Sequence, residues 1–328
     1  MSAPHVRAVL RALCVAAVCV LVARGAYAGE RYALVVTGAS GGAQYAEKYD
    51  EWRNAFVQLL QGPLGYPEDH VLLLAEEEFA GAQVATRDHV RSAIADLRAR
   101  AKKDDVVLVV LVGHGSGEDG PDAKFNLVGP DLTAREWGEL LRPVQGRLVF
   151  VNAASGSFPF IRELSARNHI VVTANDSAAQ GFETVLPQFL LESLKDASAD
   201  LDKSGRTSMW EAFVYMSARV KGWFEQRAQL ATEHTMLDDD GDGLGRLIDD
   251  QATDGVLARI TYVQADPPIE DTGDPERTAM LRRKAEINTA LEELRARKES
   301  MPADDYESAL EKLLLELARI DRTLRSKS

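Results

Sequence analysis

Seven consecutive apolar residues, Val106–Val112 (VVLVVLV), constrain the fold of this chain more than any other stretch. Most of them are valine, whose branched side chain is stiff and suits a pleated strand better than a helix. A strand that is apolar at every position has to be covered on both faces. That is the condition of a parallel sheet held between two layers of helices. The run stops at Gly113-His114-Gly115. The glycines let the backbone turn sharply and approach a ligand, and they leave His114 at the carboxyl end of the strand. Open α/β sheets usually carry their chemistry at that end, and an imidazole placed there can move protons near neutral pH.

The surrounding pattern predicts the rest of an α/β domain. Arg31–Gly38 reads as a first strand, followed by the glycine-rich loop 38–42 and a helix through about Leu60. That helix sets Tyr45, Tyr49, Trp52, Phe56, Leu59 and Leu60 on one face. His70–Leu74 is predicted as a strand and Thr86–Ala101 as a helix. Phe125–Val128 comes next, then a helix from Thr133 with Glu136 completing a capping box. Arg147–Asn152 and His169–Ala174 are further strands, with a helix near Phe158–Ala166 between them. Strands alternating with helices at this spacing call for right-handed crossovers and a mostly parallel sheet.

The first 28 residues read as a targeting leader instead of part of the fold. Arg7 and Arg11 precede an apolar run from Ala12 to Ala23, and Ala26-Tyr27-Ala28 closes it as a small-x-small cleavage site. The apolar core is too short to span a bilayer, and no later stretch is long enough. A periplasmic or secreted protein cleaved after Ala28, with no stable membrane insertion, is therefore expected. Both cysteines, Cys14 and Cys19, fall in this leader, so the remaining chain has no thiol for disulfides, metal or nucleophilic attack. Of the 38 basic side chains, three (Arg7, Arg11, Arg24) also fall there, which leaves 35 basic against 51 acidic side chains. A net charge of −16 argues against nucleic acid as a partner.

A strand ending in Gly113-His114-Gly115, then a strand followed by Ala154-Ser155-Gly156-Ser157, resembles the caspase-like peptidases of clan CD, closest to the legumain or C13 branch. The likeness covers roughly Arg31–Leu194, and Asn168–Ser177 also resembles that family's strand after the nucleophile. The resemblance implies a three-layer caspase-like domain. It implies His114 as the general acid/base, Ala153 at the nucleophile position, and Gly113, Gly115 and Asn152 beside the substrate. A methyl group cannot attack a carbonyl, so thiol proteolysis is excluded on chemical grounds. Three readings of His114 stay open: a relic at a cleft that still binds a peptide or protein segment, a structural histidine at a strand end, or an activator of Ser155 or of water. Ser155 is also a natural helix N-cap. The amides around Gly115 and Ala153 are positioned in sequence to form an oxyanion nest. Glu118, Asp119 and Asp122 read as a solvated loop.

Two acidic loops follow. Residues 200–211 (DLDKSGRTSMWE) match the EF-hand calcium pattern, with Asp200, Asp202, Ser204 and Ser208 as oxygen ligands, the Arg206 carbonyl at the seventh position, Gly205 at the sixth and Glu211 at the twelfth. The alternative is an Asx-rich turn capping a helix at Ser208. A second loop offers Asp238, Asp240, Asp242, the Leu244 carbonyl and, at the twelfth position, the shorter Asp249. Its alternative is a glycine-rich acidic turn. Hard calcium needs six or more oxygens on a tightly turned chain, which is what this spacing delivers.

The predicted organisation is thus a leader over 1–28, an α/β domain over 29–199, and a helical region with the acidic loops over 200–265. A linker over 266–274 and a helical hairpin over 275–328 complete it. In the hairpin, Tyr306, Leu310, Leu313, Leu317, Ile320 and Leu324 recur at spacings of four and three, answering Met280, Ile287, Leu291 and Leu294. Such a hairpin can pack on its own domain, form a homodimer or hold a partner helix. The functional expectation is a non-catalytic, peptidase-like binding or regulatory protein stabilised by calcium. The alternatives are a hydrolase using Ser155 or water, and a calcium-stabilised scaffold assembling through the hairpin.

Overall fold

The computed structural model describes residues 29–79, 81–116, 120–178, 181–250, 254–265, 272–296, 298 and 301–326. The leader and most of the expected linker lie outside the described residues. Strands β1 (Arg31–Thr37), β2 (Val71–Ala75), β3 (Gln83–Val84), β4 (Val106–Val112), β8 (Arg147–Asn152), β9 (His169–Thr173) and β10 (Met236–Asp238) form a seven-stranded sheet in the order β10-β9-β8-β4-β1-β2-β3. Every neighbouring pair is parallel except β10 against β9. A small antiparallel sheet of β5 (Gly115–Ser116), β6 (Lys124–Phe125) and β7 (Leu132–Thr133) stands at the end of β4.

The central position of β4 accounts for its composition. Leu108, Val110 and Val112 enter one core, with Tyr49, Trp52 and Phe56 of α1 (Ala43–Gln61), α5 (Leu186–Ser193) and α6 (Met209–Gln226). Val107, Val109 and Leu111 enter the other, under α2 (Arg87–Arg100), α3 (Ala134–Leu141) and α4 (Phe160–Leu164). All seven β4 residues are buried, so neither face could tolerate a polar residue without an unpaired group. The molecule is therefore three-layered, helices over sheet over helices. The Thr133–Glu136 capping box is present at the start of α3, as its sequence predicts.

One element departs from the expectation of helices and acidic loops after residue 200. Met236–Asp238 is a strand, antiparallel to β9 with Met236 opposite Thr173. Three residues are too few to show an alternating pattern, so nothing local announces it. Its effect is to carry the second acidic loop onto the edge of the main sheet. Beyond the short α7 (Val256–Arg259), helices α8 (Pro275–Ala296) and α9 (Ala303–Ser326) form the hairpin. Ile287, Leu291, Leu294 and Leu324 are buried in its seam, and Arg283–Glu316 and Lys284–Asp321 join the helices at 2.7 Å.

Candidate functional site

Strands β4 and β8 run side by side, with Leu111 opposite Asn152, and the Ala153 amide continues the ladder to the Leu111 carbonyl at 2.9 Å. Ala153 therefore follows Asn152 beside the end of β4, and its methyl belongs to the core that holds Val112 and Tyr49. His114 turns toward the same helix layer. Its Nε2 lies 3.1 Å from the Tyr49 hydroxyl, and Tyr45 meets its ring edge-on with centroids 4.8 Å apart. Burial, and then the nearby Glu183 carboxylate, raise the Tyr49 pKa, so the phenol keeps its proton. It donates to Nε2 when the imidazole proton is on Nδ1 and accepts from Nε2 in the other tautomer. His114 itself is partly buried, at the rim of the sheet.

Ala153 is closed off. It has no solvent exposure, and its carbonyl accepts the Thr184 hydroxyl. Thr184 belongs to the segment entering α5, and that segment is fixed from behind by Glu233, whose carboxylate takes the Val185 and Leu186 amides at 2.7 and 2.8 Å. Burial pushes the Glu233 carboxyl up to about 7, against the pull of those amides. Lys48 ties the same segment to α1 through Glu183 at 2.7 Å and lies over the Trp52 ring.

The expected oxyanion nest does not form among these residues. The Ala153 amide is spent on Leu111, and the Gly115 amide donates to the Ser155 hydroxyl at 3.2 Å. Ser155 is buried and ties the two strand ends together. It does not cap a helix, since α4 begins only at Phe160, and no hydrogen bond joins it to His114 among the described residues. Ser157 does a similar job one strand over, its hydroxyl accepting the Ala174 and Asn175 amides. Asn152 is buried and accepts the Ala154 amide at 3.1 Å.

The two glycines serve close approach of the chain to itself. A Cβ on Gly115 would lie 2.2 Å from the Ser155 carbonyl oxygen, and one on Gly113 would lie 3.2 Å from the Phe125 ring. Of the three acidic residues in the following loop, Asp122 is exposed beside Arg135, and Glu118 and Asp119 lie outside the described residues. A hollow of about 240 Å³ opens beside the first acidic loop, lined by Lys195, Asp200, Arg206 and Gln264 among others. Neither His114 nor Ala153 lines it.

The two acidic loops fold alike. In each, the fourth and sixth residues have positive φ: Lys203 (58°) and Gly205 (87°), then Gly241 (82°) and Gly243 (78°). The first carboxylate receives the sixth amide (Gly205 to Asp200, 2.8 Å; Gly243 to Asp238, 2.9 Å), and the third receives the fifth (Ser204 to Asp202, 2.9 Å; Asp242 to Asp240, 3.0 Å). Asp200, Asp202 and Glu211 bring carboxylate oxygens within 4.8 Å of one another, and so do Asp238, Asp240 and Asp242. Both triads could hold a metal ion. The Ser204 hydroxyl lies 3.1 Å from the Arg206 carbonyl in the first loop. Ser208 is the N-cap of α6 and forms a capping box with Glu211.

The second loop closes differently from its sequence pattern. Glu211 Oε1 accepts the amides of the second and third loop residues, Leu201 (2.8 Å) and Asp202 (3.1 Å). In the second loop Asp254 does this, its Oδ1 accepting Asp239 (2.8 Å) and Asp240 (3.3 Å). Asp249, the twelfth residue, is exposed and outside the triad. Arg246 donates to the Asp250 and Asp254 carbonyls at 2.7 and 2.6 Å, which holds Asp254 near the loop. Burial, then the Asp240, Asp239 and Asp238 carboxylates, push the Asp254 carboxyl up to about 7. The sequence signal for Asp254 was only its being an acid five residues past the second loop.

No family model matches the chain, and no curated protein matches it. Among solved structures it is similar to protein GSU0716 from Geobacter sulfurreducens, at 14% identity over 67% of this chain and 98% of that one, with a TM-score of 0.40. No helix among the described residues is long and apolar enough to cross a membrane.

Proposed function

We propose that this is a caspase-like, C13-related domain without its nucleophile, which holds an extended peptide or protein segment along the rim beside His114. The observation that carries the reading is the pairing of His114 and Ala153: adjacent parallel strands end together, and both residues face the α1 layer. The general acid/base position is kept, while a buried methyl stands where a thiol would be needed. An open rim with an aromatic wall (Tyr45) and the short strand β5 suits a segment laid along the surface better than an enclosed small molecule.

The hydrolase alternative has less support. The Ser155 hydroxyl is buried and committed to the Gly115 amide, and His114 Nε2 is committed to Tyr49. Calcium is the ion we assign to the two all-oxygen triads, whose hard oxygen donors suit it. The leader pattern over residues 1–28 supports a compartment outside the cytoplasm.

The reading is tested by panning a random linear-peptide library against the chain and probing His114 with diethyl pyrocarbonate, read by mass spectrometry. Enriched peptides that protect His114 and lose affinity for Tyr45→Ala support it. A library that yields no binder, or binders that leave His114 fully reactive, overturns it.

A further inference from the structure

The outer face of α9 carries a pattern that the hairpin seam does not use. Leu314 and Leu315 are 44% and 51% exposed there, whereas the seam residues Ile287, Leu291, Leu294 and Leu324 are buried. At 3.6 residues per turn, Asp304, Glu307, Glu311, Leu314, Leu315, Ala318, Arg322 and Arg325 all fall within about 50° of one line along the helix. All eight are exposed. The line is acidic at its start, apolar in its middle and basic at its end.

The order is also symmetric. Asp304 and Arg325, Glu307 and Arg322, Glu311 and Ala318, and Leu314 and Leu315 share a single midpoint. Turned end for end about that midpoint, the stripe presents acid to base at both ends and leucine to leucine at the centre. A surface complementary to itself under a two-fold rotation is what an isologous dimer requires.

We propose that α9 docks antiparallel on the α9 of a second copy of this chain, making a four-helix bundle from two hairpins, with Glu307 against Arg322 and Asp304 against Arg325 across the two-fold. The charges that join α8 to α9 within one hairpin, Glu316 and Asp321, belong to other faces of α9, so the two sets of pairs do not compete. A foreign helix or a lipid surface would have no reason to match this midpoint. The proposal stands apart from the reading of His114.

The test is sedimentation equilibrium of the full chain over a range of concentrations. A reversible monomer–dimer equilibrium is expected. Glu307→Arg and Arg322→Glu should each weaken it at least tenfold by setting like charges opposite, and the double variant Glu307→Arg/Arg322→Glu should return it to within about threefold of the parent. Both substitutions are at exposed positions, and circular dichroism checks that the helices survive. A chain that stays monomeric at every concentration overturns the proposal. So does a dimer indifferent to the single charge reversals, or one that the double variant fails to restore.

Discussion

Glu211 and Asp254 do the same work in two different loops: each carboxylate receives the amides of its loop's second and third residues, at 2.8 and 3.1 Å for Glu211 and at 2.8 and 3.3 Å for Asp254. One is the twelfth residue of its loop and the other lies well beyond it. The two acidic sites are thus built to one plan from unlike sequences, and the residue that closes each is the one whose loss should matter.

Calcium should raise the melting temperature of the chain, and a chelator should reverse the rise. At a hundredfold excess over the dissociation constant a single site adds about 2.7 kcal/mol. Glu211→Gln and Asp254→Asn should each reduce the response, and Asp249→Asn should leave it intact. Calorimetry with and without calcium decides the matter, and a calcium-indifferent melting curve rules the ion out.

Ala153→Cys should not create a reactive thiol. The position has no exposure and Thr184 closes over its carbonyl, so a disulfide reagent should modify the folded variant far more slowly than the unfolded one. The larger side chain should also cost about 1–3 kcal/mol by overpacking. Rapid labelling of the folded variant would mean that the site is more open than its burial indicates.

A fluorophosphonate probe should leave the chain unlabelled, because the Ser155 hydroxyl accepts the Gly115 amide and no base is hydrogen-bonded to it among the described residues. Labelling that disappears in Ser155→Ala would establish the hydrolase alternative instead.

Gly115→Ala should destabilise the fold by several kcal/mol, since the new methyl would fall 2.2 Å from the Ser155 carbonyl oxygen and main chain cannot step aside cheaply. Urea titration would read the loss. A variant within about 0.5 kcal/mol of the parent would show that the two strand ends are looser than this contact implies.

Stability should fall as pH rises through the window from about 4.5 to about 7. Glu233 binds its proton in the folded chain up to about 7, against 4.5 as the ordinary value, so the folded state holds more protons than the unfolded one between those limits. The fall from this group is on the order of 3 kcal/mol at most. Chemical denaturation across the window measures it, and Glu233→Gln should flatten the slope. A slope of the same size in that variant would assign it to other groups.

The sequence by itself determined what local pattern can determine. The unbroken run of β4 required two covered faces and hence three layers, because a residue's neighbours along a strand alternate between the two sides of a sheet. The capping box at Thr133–Glu136, the helix cap at Ser208 and the turn of the first acidic loop were legible too, since their partners lie within a dozen residues. Only the tertiary structure decided the rest. Strand β10 is too short to have a period of its own and exists because β9 offers it an edge. Ser155 reads as a nucleophile or a cap until the end of β4 brings the Gly115 amide to it. Asp254 takes the place expected of Asp249, and Arg246 holds the Asp254 carbonyl there. In each case the deciding partner is a backbone amide or carbonyl. Every residue carries those groups alike, so no residue type in the sequence marks which of them a side chain will meet.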